Sequence, residues 1–248
     1  FTERRFAEAH AALKHALELE PQDVTANFWW AMELIMTGYR REGLAQLDRA
    51  LALDPGQGII QSWRAMQYSF AGDQLAAQRA AQRSADLGLR FAAYAQMEVA
   101  HAQGDDPKAR AYLQGNWHDP SWACGARTPD EPYAMVEAVY GGDAATRAQA
   151  LAMVERCVAA RPDPMPFWEV NALLRLDRPE RALQVAQMQL TNNETFLFQV
   201  LWSPYGDAAR RLPGFAAFAR KVGLADVWDR YGAPDDRRRK GSAGYACT

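Results

Sequence analysis

Ala16-Leu17-Glu18-Leu19-Glu20-Pro21 and Ala50-Leu51-Ala52-Leu53-Asp54-Pro55 are one phrase written twice, 34 positions apart. The same offset carries Leu13 onto Leu47, Ala31 onto Ala65, Met32 onto Met66, Leu34 onto Tyr68 and Gly38 onto Gly72. Agreement at that many apolar and turn positions marks an internal repeat rather than a chance match. A third copy is degenerate: Leu53 maps onto Leu87, but Ala50 maps onto Ser84 and Pro55 onto Leu89. The register then slips, because Gly72-Asp73 recurs as Gly104-Asp105 after only 32 positions.

Each unit reads as a pair of helices. The first is expected from Val24 to Met36 with a stop at Gly38, the second from about Leu44 to Leu53 before Asp54-Pro55. Glycine tolerates the left-handed conformation that ends a helix, and proline cannot continue the hydrogen-bond ladder. Ala9, Ala16 and Ala50 stand where neighbouring helices would have to approach closely, with Leu13 and Leu47 filling the space beside them.

The period, the small-residue positions and the Ala-Leu-x-Leu-Asp-Pro ending resemble tetratricopeptide repeats. The resemblance implies an all-α fold: helical hairpins stacked into a right-handed superhelix with a concave groove. It covers residues 6–114 well and 133–190 more loosely, where Gly142-Asp143 and Asp177-Arg178-Pro179 look like further inter-helix turns and Ala182 matches a small packing position. Asp177 departs from the pattern by standing where glycine is usual, and Trp29-Trp30 displace the usual early aromatic. From Phe196 the series Trp202-Ser203-Pro204, Leu212-Pro213-Gly214-Phe215 and Val227-Trp228-Asp229-Arg230-Tyr231-Gly232-Ala233-Pro234-Asp235 resembles the end of the repeat region in bacterial winged-helix transcriptional regulators and class III nucleotide cyclases. That tail usually carries two cysteines; here only Cys247 remains in it. The organisation expected is an N-terminal array (1–114), an interrupting loop (115–132), C-terminal helix pairs (133–192), an atypical helical cap (193–235) and a flexible tail (236–248).

Composition bounds the function. The chain has 248 residues and a formal charge of -2, which argues against an electrostatic nucleic-acid binder, and no direct nucleic-acid partner is expected of this fragment. Apolar residues at 49% and charged residues at 23% have the balance of a globular protein. No apolar run is long enough to span a membrane. Three cysteines are too few for a disulfide scaffold and suit the cytoplasm, with an extracytoplasmic region of a tethered regulator as the alternative. The chain begins at Phe1 without a signal peptide's pattern, and the expectation is a piece of a larger protein.

Catalytic patterns are sparse. There is no phosphate-binding Gly-x-x-x-x-Gly-Lys, no Gly-x-Ser-x-Gly and no His-Glu-x-x-His; His10 and His15, five apart, do not share a helix face at ligand spacing. His118, Asp119 and Cys124 in the interrupting loop are the nearest to a reactive cluster and could supply a thiolate or metal ligands, but lack a third ligand and an orienting partner. Cys157, among Val154 and Val158, reads as a core residue, Arg237-Arg238-Arg239-Lys240 as a solvated basic run, and the sequon at Asn193 as chance. No enzyme, cofactor or metal is expected.

What remains is the groove. Between Val24 and Met36 only Glu33 is charged. Trp30, Ala31 and Leu34 would face the partner helix, and Phe28, Met32 and Ile35 an adjoining face; Ile59, Ser62, Met66 and Ser69 fall on the equivalent face of the next unit. Following the resemblance, these seven line the concave surface and bind a peptide or partner domain, methionine repacking around the guest. The alternatives are internal packing of the same stripe, a small-ligand sensor with a pocket between the two arrays near Trp117, His118 and Trp122, or an enzyme using His118 and Cys124.

Overall fold

One left-handed turn recurs between successive helices, at Gly38, Gly72, Gly88, Gly104 and Asp177. The structure, a computed structural model, describes residues 5–89, 92–116, 131–160, 166–188, 198–235, 237–239 and 245–247. Helices α1 (Phe6–Leu19), α2 (Val24–Thr37), α3 (Arg40–Leu53), α4 (Gly58–Ala71), α5 (Gln74–Asp86), α6 (Ala92–Ala102) and α7 (Asp106–Asn116) come first. They are followed by α8 (Glu131–Gly141), α9 (Ala144–Ala160), α10 (Pro166–Arg175) and α11 (Pro179–Met188). Between α2 and α3, α4 and α5, α6 and α7, and α10 and α11 the chain passes through φ of +97° at Gly38, +84° at Gly72, +75° at Gly104 and +59° at Asp177.

Each turn closes with the same two backbone bonds. Tyr39 N–H donates to Leu34 O at 2.8 Å and Gly38 N–H to Ile35 O at 3.3 Å. The matching six-to-one bonds include Asp73 to Tyr68 at 3.0 Å, Asp105 to Ala100 at 2.9 Å and Arg178 to Leu173 at 2.8 Å. This pattern satisfies two of the four carbonyls that a helix leaves unpaired at its C-terminus. Asp177 therefore takes the role of the usual glycine; aspartate is among the few non-glycine residues that enter the left-handed region at modest cost. Where the following residue is aspartate it also starts the next helix: Asp73 accepts from Ala76 N–H at 3.0 Å and Asp105 from Lys108 N–H at 3.2 Å. The α3 helix begins at Arg40, four residues before the expected start, because this tight turn needs no further linker.

The chain divides into two compact units, residues 46–160 and residues 1–45 with 161–248, the boundary falling inside α3. In the first of these, α4 to α9 pack in succession, each on the next, with α4 also against α6. The small position of the degenerate copy, Ser84, is fully buried and its hydroxyl donates to Gly58 O at 2.8 Å, so the polar replacement for alanine is satisfied. At the junction of α8 and α9 the turn differs: Gly142 N–H donates to Ala138 O at 3.3 Å, and Asp143 caps α9 through Thr146 N–H at 2.8 Å.

The other unit joins the two ends of the sequence. The expected cap is helical: α12 (Phe198–Leu201), a 3-10 turn at Pro204–Gly206, α13 (Asp207–Arg211), α14 (Phe215–Lys221) and α15 (Leu224–Tyr231). Helix α15 packs on α1 and α12 on α2. Phe6, Phe198, Phe215, Phe218, Trp202 and Trp228 form its buried aromatic centre, with ring centroids 5.5 Å apart for Phe6–Phe198 and 5.9 Å for Trp202–Trp228. The tail expected to be flexible instead pairs: β1 (Arg237–Arg239) runs antiparallel to β2 (Tyr245–Cys247), the sole sheet among the described residues. Alternation of Tyr245-Ala246-Cys247 against the arginines gives backbone partners that a reading of charge alone does not reveal.

The architecture is thus all-helical apart from that hairpin, with fifteen α-helices among the described residues. No helix among them is long and apolar enough to cross a membrane.

Candidate functional site

The stripe singled out on α2 and α4 is mostly inside. Met32 and Ile35 have no exposure, Ser62 none, Met66 1% and Ser69 9%, while Phe28 and Ile59 are half-buried. On the other face Ala31 and Leu34 are buried, and Trp30 meets the His10 ring of α1 edge-on at a centroid distance of 4.5 Å. An α2 that is apolar nearly all round is therefore covered nearly all round, and its outward remnant is Trp29 at 40% exposure, in ring contact with Phe28 at 5.4 Å.

What covers the C-terminal end of α2 is the cap. Leu34 and Ile35 lend their carbonyls to the turn, which leaves Met36 and Thr37. Trp202 Nε1–H donates to Met36 O and Trp228 Nε1–H to Thr37 O, both at 2.8 Å. All four carbonyls of the last helical turn are thereby paired, two by the turn's own backbone and two by indoles far along the sequence. The chain after α15 continues the contact: Tyr39 hydroxyl donates to Gly232 O at 2.6 Å, Asp235 N–H to Gly38 O at 3.2 Å, and Arg41 N–H to Asp235 Oδ2 at 2.8 Å. Gly38 is required here twice over, by its positive φ and because a Cβ would lie 2.9 Å from Pro234 Cβ and 3.1 Å from the Trp202 ring.

Beneath this cap sits an ion-capable pair that the sequence did not bring together. His10 Nδ1 lies 3.0 Å from Glu33 Oε2, with side-chain exposures of 8% and 0%. The His10 ring stacks on Tyr231 of α15 at 3.8 Å between centroids and 25° between planes. Glu33 Oε1 makes no hydrogen bond, and the Thr37 hydroxyl beside it donates instead to the Glu33 and Leu34 carbonyls. Burial pushes the Glu33 carboxyl above the ordinary carboxylate range, against the opposing pull of His10. The signal in the sequence was the lone charge in an otherwise apolar helix; nothing in spacing pointed to His10, 23 positions away.

A separate cavity of about 220 Å³ lies in the unit of residues 46–160. Met97, Ala109, Val136 and Ala138 are buried along it; Asp106, Arg110, Glu137 and Thr146 bring polar groups to it. Arg110 Nε is 2.8 Å from Glu137 Oε1, and His101 Nδ1 is 2.8 Å from Asp106 Oδ1. Tyr140, also on the cavity, donates its hydroxyl to Glu98. The cavity brings α7 and α8 together on either side of the interrupting loop.

Trp117, His118, Trp122 and Cys124 of that loop, and Asn193 of the sequon, lie outside the described residues. Cys157 is buried as expected, and it is disulfide-bonded, so its sulfur is not a free nucleophile. Among the described residues no group of three or more His, Cys, Asp or Glu side chains is placed to hold a metal ion. No family model matches this chain, and no curated protein matches it significantly.

Proposed function

We propose that the chain is a non-catalytic interaction module of the tetratricopeptide kind, the regulatory part of a larger bacterial signalling or transcription protein, that binds a peptide or partner domain. The observation that supports this reading is the recurrence of one interhelical turn, at Gly38, Gly72, Gly88, Gly104 and Asp177, each bonded alike and each joining two helices. In this reading the stacked hairpins form a right-handed superhelix, and the guest contacts the faces bearing Phe28, Met32, Ile35, Ile59, Ser62, Met66 and Ser69. Phe28 and Ile59 meet it first, because they alone of the seven keep partial exposure. Affinity would come from apolar burial, offset by the entropy of ordering the guest.

Peptides selected from a displayed library on the intact protein should lose affinity by about 1 kcal/mol or more on Phe28→Ala or Ile59→Ala if these residues are anchors. Unchanged affinity in the folded double variant removes the face from the reading. The disulfide at Cys157 weighs toward the extracytoplasmic alternative over the cytoplasm, since such bonds persist in oxidising compartments.

A second reading, a small-ligand sensor, draws on the cavity lined by α7 and α8. A metabolite panel should then raise the melting temperature of the protein but not of Ala109→Leu, which fills the cavity. Equal shifts in both proteins place the ligand elsewhere.

A further inference from the structure

The contact between the first hairpin and the last helix is held by many bonds, but one of its members can change charge. His10 from α1 and Glu33 from α2 share a dry site roofed by Tyr231 of α15. We propose that this pair makes the contact a proton-dependent clasp, closed while the pair holds its shared proton and loosened when that proton is lost. The proposal goes beyond the interaction reading and stands without it.

The two directions of titration differ physically. While it holds its proton, the Glu33 carboxyl is neutral and can lie in this dry site beside the His10 ring without a counter-charge. Loss of the proton leaves a carboxylate beside a neutral imidazole, shielded from solvent and with Oε1 unsatisfied. His10 and Thr37 favour the charged form but do not outweigh burial, and the other neighbours add no cation to it. Glu33 is the one charged side chain of α2, and α12 carries no ionisable residue. At the start of α3, Glu42 repels the carboxylate, Arg41 is engaged by Asp235, and the Tyr39 hydroxyl is committed to Gly232. On α15 the Tyr231 hydroxyl donates to Ala7 O, and Arg230 acts on the exposed Glu8.

The sign follows from linkage. Burial makes the folded carboxyl hold its proton to higher pH than the unfolded one. The stabilisation is thus complete below the ordinary carboxylate range and is lost as pH rises through the raised value. Because His10 touches Tyr231 directly, the loss is felt first where α15 lies on α1.

Amide exchange on the whole protein from about pH 4, at the ordinary carboxylate range, up to about pH 9, corrected for intrinsic rates, tests this. Protection in α15 and α1 should be lost progressively as pH rises, while α4 and α5 stay level. In Glu33→Gln, which cannot lose a proton, protection should be flat with pH. His10→Gln, which strands the carboxylate, should open at lower pH than the parent and serves if Glu33→Gln does not fold. A flat parent profile, or a Glu33→Gln or His10→Gln profile that follows the parent's, overturns the clasp.

Discussion

Replacing Trp202 by Phe tests whether the first hairpin depends on the far end of the chain. Trp202 is 1% exposed, its indole N–H is the donor to Met36 O at 2.8 Å, and its ring touches those of Trp228 and Phe215 at centroid distances of 5.9 and 6.3 Å. Phenylalanine keeps the apolar contact and removes the donor. A buried carbonyl left without its partner costs about 1–3 kcal/mol. The smaller ring also leaves space beside Gly38, worth about 1 kcal/mol more if the surroundings do not collapse. The sum is about 2–4 kcal/mol, and for a chain of this size each kcal/mol shifts a melting temperature by roughly 2–4 °C. Trp228→Phe should cost a similar amount through Thr37 O, and the double variant should show non-additive coupling because the two rings touch. Urea unfolding followed by circular dichroism gives the total, and amide exchange at α2 and α3 shows where it falls. A change below about 0.5 kcal/mol in both single variants, the range of an ordinary surface substitution, would refute the argument that these indoles complete the helix end.

Asp177→Gly should stabilise by up to about 1 kcal/mol, because it relieves a left-handed φ of +59° while leaving the turn's backbone bonds in place; thermal melting reads it, and a loss would mean the aspartate side chain supports the turn. Ala50→Leu should destabilise by about 1–3 kcal/mol by overfilling a position with no exposure, and an unchanged melt would contradict the repeat register. Reduction should lower stability by about 2–4 kcal/mol through the bond at Cys157, and thiol titration of the denatured, unreduced chain should find a single free cysteine among the three.

The hairpins were legible because their determinants are local. Gly38 and Gly72 stand at the repeat offset and Gly104 two positions short of it, and a glycine there has one physical reason, the positive φ that ends a helix within hydrogen-bonding reach of its own last turn. Asp177 was legible by the same rule once its neighbours fixed the register. The cap was legible only as a series of aromatic and proline positions. The partner of each aromatic was not, since Trp202 finds its acceptor 166 positions away and Trp228 finds its own 191 positions away.

The stripe of Phe28, Met32 and Ile35 shows why an interaction surface is harder to read than a fold. Hydrophobic periodicity says that a helix face avoids water; it does not say whether the chain itself or a guest provides the cover. Met32 and Ile35 with no exposure mean that the cover is already in place in this state, Ile35 lying against Gly43 of α3 and α12 packing on α2. Any guest of that face must then displace packing the chain already makes there, which a short peptide cannot match without help. The help would have to come from something that weakens the cap before the guest arrives. Glu33, a carboxylate with one unsatisfied oxygen beneath Tyr231's partner His10, is the place in this unit where a change of solution conditions could do so.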